Sequence, residues 1–128
     1  MERLRSEALP KQKRLAKRRE FVSVYDTGQK LFSRYAVLFF AANDRSYSRI
    51  GITATKKLGK ANIRNRLKRW TREVYRRQRE PLGLDARSLD IVVNVKPNAA
   101  GTTFQDFSRD LSRVLERVVS DAGRRSSS

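Results

Sequence analysis

The chain has no cysteine and no histidine. Lacking cysteine, it can form neither a disulfide nor a thiolate metal site. Lacking both, it is without the commonest groups for proton transfer and nucleophilic attack at neutral pH. Acid is scarce as well: 13 Asp and Glu stand against 30 Lys and Arg, giving a net charge of +17. The carboxylates are scattered, with no DxD, ExxE or EF-hand-like spacing, and they leave any metal site on the protein unassigned. Asp106 and Asp110 share a helix face, but Arg109 and Arg113 flank them, so surface ion pairing accounts for the pair. No apolar run approaches the roughly 18 residues of a membrane span. The first residues lack the apolar stretch of a secretory signal, so the cytoplasm is the expected location. A length of 128 residues and 38% apolar content fit one small domain with a modest core. Such a basic chain points to a nucleic acid more than to a small-molecule substrate. No side chain is assigned as catalytic, and any catalysis it serves is expected from another molecule.

What is there is positive charge in one place. Residues 56–79 hold eleven Lys or Arg and a single acid, Glu73. At roughly 100° per residue, Leu67, Trp70 and Val74 fall within about 40° of Ile63 and define a core-facing arc. Asn65, Lys68, Arg69, Arg72, Arg76 and Arg79 fall on the far side. Arg64, Lys68 and Arg72 are spaced i, i+4, i+8 and repel one another along the helix. Arg64 also lies near the helix start, where a cation opposes the helix dipole. A polyanion would supply the missing charge.

Residues 1–14 read as a flexible basic extension, 15–120 as the folded domain and 121–128 as a flexible tail. A helix from about Lys17 to Thr27 carries Phe21, Val24 and Tyr25 and stops at Gly28. Tyr35 to Ala42 is a strand apolar on both faces, and a short strand is possible over Lys30 to Phe32. Ser48 to Thr55 alternates as a strand, and Asn62 is the expected N-cap of the basic helix, which runs to Arg79. Leu89 to Val95 is a further strand, ended by Pro97. A last helix spans Thr103 to Val119, with Phe104, Phe107, Leu111, Val114 and Val118 as its stripe and Thr103 with Asp106 as a capping pair. The order implies an α/β or α+β sandwich, with the strands flanking the basic helix paired in parallel.

The run Arg49-Ile50-Gly51-Ile52-Thr53-Ala54-Thr55-Lys56-Lys57-Leu58-Gly59-Lys60-Ala61-Asn62-Ile63-Arg64-Asn65-Arg66-Leu67-Lys68-Arg69 resembles the signature of the bacterial ribonuclease P protein component. Arg14-Leu15, Glu20-Phe21, Val24-Tyr25 and Gly28 resemble that family's first helix, and Asp90-Ile91-Val92-Val93 through Lys96-Pro97 its last strand. The resemblance implies a four-stranded sheet, three helices and a left-handed βαβ crossover containing the Arg-Asn-Arg helix. It implies a ribonucleoprotein endoribonuclease in which a catalytic RNA subunit, using Mg²⁺ held mainly by RNA and substrate, removes the 5′ leader of precursor tRNA. The protein alone is then expected to be inactive, monomeric apart from RNA, and remote from membranes. In that family Arg18 often has Asn or Ser, a helix cap, in its place.

Two surfaces follow from the resemblance. Lys56, Lys57, Lys60, Arg64, Asn65, Arg66, Lys68 and Arg69 are implied contacts of the RNA subunit. Arg18, Phe21, Tyr25, Phe39, Thr53 and Thr55 are implied to line a cleft for the single-stranded leader, where flat rings accept bases of any sequence. Spacing alone favours a core for the three aromatic rings; it is the resemblance that turns Phe39 and Phe21, and less strongly Tyr25, toward the cleft. Trp70, on the arc of Ile63, Leu67 and Val74, reads as core. A ribosomal or architectural RNA-binding protein fits the composition too; a self-sufficient nuclease fits it poorly.

Overall fold

The computed structural model describes residues 9–126. Helix α1 (Arg18–Thr27) leads into strands β1 (Gln29–Phe32), β2 (Ala36–Ala42) and β3 (Arg49–Thr53). A 3-10 turn, Lys56–Leu58, then feeds the basic helix α2 (Ala61–Arg79), and a single helical turn, α3 (Leu84–Arg87), precedes β4 (Leu89–Val95). A second 3-10 turn, Pro97–Gly101, precedes the long helix α4 (Phe104–Ser126). The sheet order is β1-β2-β4-β3. β2 is antiparallel to β1 and β4, and β3 is parallel to β4. The expected α+β sandwich with a four-stranded sheet is therefore present, and α2 is the crossover between its two parallel strands.

The main core lies on one sheet face, where Leu38, Phe40, Ile50, Ile91 and Val93 meet Leu67, Val74 and Tyr75 of α2 and Phe107, Leu111, Val114, Leu115 and Val118 of α4. Each such side chain, fully buried, contributes roughly 1.5–3 kcal/mol. Trp70 packs against this core, edge-on to Phe104 with ring centroids 5.6 Å apart. α1 covers the other face through a smaller cluster of Leu15, Val24 and Val92, flanked by Phe21, Tyr25 and Phe39.

Several expected boundaries move. The packed domain begins before residue 15: Leu9 joins the main core, Lys11–Lys13 form a 3-10 turn, and Arg14 bridges to Ile50. The rest of the expected flexible extension, residues 1–8, lies outside the described residues. α4 continues through Gly123 to Ser126, because Val119 and Ala122 still pack on the core and outweigh the roughly 1 kcal/mol that a helical glycine costs. Asn62 is not the cap of α2; Lys60 occupies that position without a side-chain bond, and the chain enters the helix from Gly59 at φ 132°, a conformation that favours glycine. α1 starts at Arg18, and its first turn is closed from within, since the Glu20 carboxylate accepts the Ala16 and Lys17 N–H groups at 3.1 and 3.0 Å. Asp110 accepts from Ser33 Oγ, Arg34 N and Tyr35 N at 2.8–3.1 Å, fastening α4 to the β1–β2 turn.

Candidate nucleic-acid interface

The basic face of α2 and its leading turn is built as its spacing predicts. Lys56, Lys57, Lys60, Asn65 and Arg69 are exposed, with Arg64 and Lys68 half-buried beside them. Among the described residues none of these cations forms an ion pair with an acid. Arg64 Nε donates to the Gly59 carbonyl at 3.3 Å, which orients it over the leading loop. The helix's one acid is committed further along: Glu73 accepts from Arg76 at 2.7 Å and from Arg77 at 2.7 Å. Those two guanidinium groups, Arg76 foremost, hold the Glu73 carboxyl below its ordinary range. The amino-terminal half of α2 is thereby left without a counter-charge.

Arg66 is held differently from its neighbours. Its guanidinium lies 5.3 Å from the Trp70 ring centre, and Nη2 donates to the Ala100 carbonyl at 3.1 Å. Nε is buried with no hydrogen-bond partner among the described residues. At about 60° from Ile63 on the helical projection, Arg66 borders the apolar arc, so its stem packs inward. It staples α2 to the 3-10 turn before α4 from the edge of the charged face.

Beside α2 opens a cavity of about 310 Å³, ringed by Lys11, Arg14, Lys68 and Arg72 over a floor of Leu15, Phe21, Ile50 and Ile52. No acidic residue lines it. Burial, and then Arg14 and Arg69, push the Arg72 guanidinium below its ordinary pKa, yet a guanidinium stays charged at neutral pH. Arg14 and Arg72 are functional candidates that the sequence left unassigned, although Arg72 stands in the i, i+4, i+8 series.

The second surface is the sheet face under α1. Register sets two rows across it: Lys30, Phe39, Val92 and Gly51, then Phe32, Val37, Asn94 and Thr53. Phe21, Tyr25 and Phe39 are each half-buried, which suits rings that are both packed and accessible. Tyr25 meets Phe39 edge-on at 4.7 Å, and its hydroxyl donates to Asn94 Oδ1 at 2.9 Å. Phe21 lies flush on β3, where a Cβ on Gly51 would come within 2.6 Å of its ring. Thr53 sits in the floor, paired with Asn94. Thr55 does not: β3 ends at Thr53, and Thr55 is exposed in the turn that leads to α2, its carbonyl accepting from Leu58. Arg18 is exposed in the first turn of α1, next to Arg19, Val22 and Asp26.

A buried network fixes α1 over this floor. Arg49 donates to Asp90 through Nε and Nη2 at 2.9 and 2.7 Å, and to Glu20 through Nη1 at 2.8 Å. Asn43 adds a bond to Asp90 at 2.8 Å. The amides of Lys17 and Ala16, with Arg49, hold the Glu20 carboxyl at about 2. The carboxylates of Asp90 and then Glu20 keep Arg49 firmly charged.

An α+β sandwich with a basic helix, acid-free over its amino-terminal half, on one side of its sheet and an aromatic groove on the other has the charge and shape of a polyanion-binding protein. The family model described as Ribonuclease P matches residues 9–119, and the chain belongs to that family. It is 41% identical over 115 residues to the ribonuclease P protein component of Thermotoga maritima, covering 89% of this chain and 92% of the relative. It is 34% identical over 109 residues to the component from Syntrophus aciditrophicus, covering 85% and 89%. Among solved structures, the Thermotoga maritima RNase P protein aligns at TM-score 0.73 and 35% identity, over 81% of this chain and 96% of that one. The Staphylococcus aureus RNase P protein aligns at TM-score 0.74 and 28% identity, over 83% and 94%.

Proposed function

We propose that this chain serves a ribonuclease P ribonucleoprotein by gripping its RNA subunit with the α2 face and cradling the single-stranded 5′ leader of precursor tRNA in the α1 groove. The observation that carries the reading is the acid-free cluster of Arg14, Lys68, Arg69 and Arg72 where the two surfaces meet. Cations that raise one another's energy inside a folded protein are tolerated when phosphates neutralise them. Arginine forks two N–H groups onto a phosphate, and lysine supplies a point charge. In the groove, Phe21, Tyr25 and Phe39 offer ring faces and edges that accept any base, as an enzyme acting on leaders of differing sequence requires.

The side chains of both surfaces are cations, rings, amides and hydroxyls. That donor set suits phosphates and bases and not Mg²⁺, which takes carboxylate and water oxygens. In this reading the metal belongs to the RNA subunit and the substrate, and the bond is broken there. Cleavage of precursor tRNA at low Mg²⁺ tests it, with the RNA subunit alone, this protein alone, and both together. Activity is expected only in the mixture. Cleavage by the protein alone would overturn the division of labour, and a mixture no better than the RNA would favour a purely architectural role.

A further inference from the structure

Among the described residues two large apolar side chains stand open to solvent, Val22 and Phe32, and Phe32 is the more exposed at 52%. Phe32 ends β1, the sheet edge farthest from β3 and from the cationic cavity beside it. Its ring is on the groove face, since register sets it opposite Val37 and its neighbour Lys30 opposite Phe39. The Lys30 ammonium lies 5.0 Å from the centre of the Phe32 ring and 5.3 Å from that of Phe39. Two rings on one sheet face, diagonal across a strand pair at roughly 7–8 Å, thus share a single cation between them. An exposed phenylalanine on an edge strand invites misassembly, and a lone surface cation–π contact is worth only about 0.5–1 kcal/mol. Neither favours keeping that ring open for stability alone.

We propose that Phe32 and Lys30 form a further nucleotide position, one step beyond Phe39 on the same single strand. This rests on the reading of the groove as the leader site and extends it. The Phe32 ring takes a base face, and the Lys30 ammonium pairs with the phosphate joining that nucleotide to the one on Phe39. A base on an aromatic ring is indifferent to sequence, so the position selects for leader length rather than leader sequence. Because β1 is across the sheet from α2, a strand entering beside α2 reaches Phe32 last. Only precursors with longer leaders then engage it.

The test is binding of the reconstituted ribonucleoprotein to precursor tRNAs whose leaders are shortened one nucleotide at a time. Phe32→Ala is expected to weaken long-leader precursors about tenfold and to leave the shortest unchanged, while Phe32→Tyr restores binding and Phe32→Leu does not. Phe39→Ala is expected to show its loss from a shorter leader onward. Lys30→Ala is expected to lower the salt dependence for long leaders by about 0.7 log units. If Phe32→Ala has no effect at any length while Phe39→Ala keeps its leader-dependent loss, Phe32 is no nucleotide site and the groove stands. An equal loss at every length would reduce Phe32 to packing. If neither variant responds to leader length, the groove reading falls with it.

Discussion

Arg49 and Asp90 are partners twice over: they pair in register across the parallel strands β3 and β4, and their side chains join through two hydrogen bonds. Each is only 8% exposed. Removing one partner strands the other charge, so Arg49→Met or Asp90→Asn is expected to lower stability by about 3–5 kcal/mol. Urea unfolding measures it. A loss below about 1 kcal/mol, the worth of a surface pair, would mean that solvent reaches the network.

Glu20 gives that network a pH dependence. Its folded pKa, about 2, lies below the ordinary 4.5, so its contribution is complete above the unfolded value and fades as pH falls from there toward the folded one. Linkage sets an upper limit of about 3 kcal/mol, and solvent at the edge of α1 reduces it to roughly half. Glu20→Gln should flatten the stability profile between those two values. A profile unchanged by the substitution would exclude Glu20 as its source.

Gly51→Ala forces the Phe21 ring off β3, because no Cβ fits beneath it. A loss of about 1–3 kcal/mol is expected, together with weaker binding of precursor tRNA relative to mature tRNA. Pairing Gly51→Ala with Phe21→Leu should recover stability without recovering the preference for precursor. A crystal structure with an unmoved Phe21 would contradict this.

The two arginines flanking Asn65 should behave differently. Arg64→Ala is expected to change stability by no more than about 0.5 kcal/mol and to reduce the salt dependence of RNA-subunit binding by roughly 0.7–0.9 log units per lost phosphate contact. Arg66→Ala loses a cation–π contact and a hydrogen bond, about 1–3 kcal/mol of stability together, with little change in salt slope. Filter binding over a salt series, alongside thermal unfolding, separates them. The opposite pattern would return Arg66 to the interface.

Phe39→Ala should weaken precursor more than mature tRNA, by about 1–3 kcal/mol for one stacked base. Equal loss for both substrates would make Phe39 a packing residue only.

The charged helix was readable because both its period and its repulsions are local: Ile63, Leu67, Trp70 and Val74 announced one face, and Arg64, Lys68 and Arg72 the other. Strand Leu89–Val95 emerged with its observed ends, Pro97 closing it. What failed depended on distant partners. Tyr75 is wholly buried, although it lies about 120° from Ile63 on the helical projection; it sits in the field of Asp85 in α3 and Asp90 in β4, so the buried arc widens toward those distant residues. Arg66 turned inward because Trp70 and the Ala100 carbonyl, 34 residues away, receive it. Asp90 and Asn94 did leave a trace, as polar residues flanking Val92 on the face of β4 that a purely apolar strand would not carry. Only the fold pairs them with Arg49 and Tyr25. Thr55 looked like floor because alternation continued past the residue where the strand stops pairing.

β3 forms the sheet margin nearest the cationic cavity, and a lone margin strand can template the addition of a foreign one. Here Leu15 donates its amide to the Ile50 carbonyl at 2.8 Å, and Arg14 bridges to the same residue. The short segment before α1 is thus a selvedge: it occupies a docking position that another chain could otherwise take, and it carries a guanidinium to the cavity rim while doing so. Closing that margin and setting positive charge at the cavity rim thus fall to the same few residues, so a substitution there bears on both.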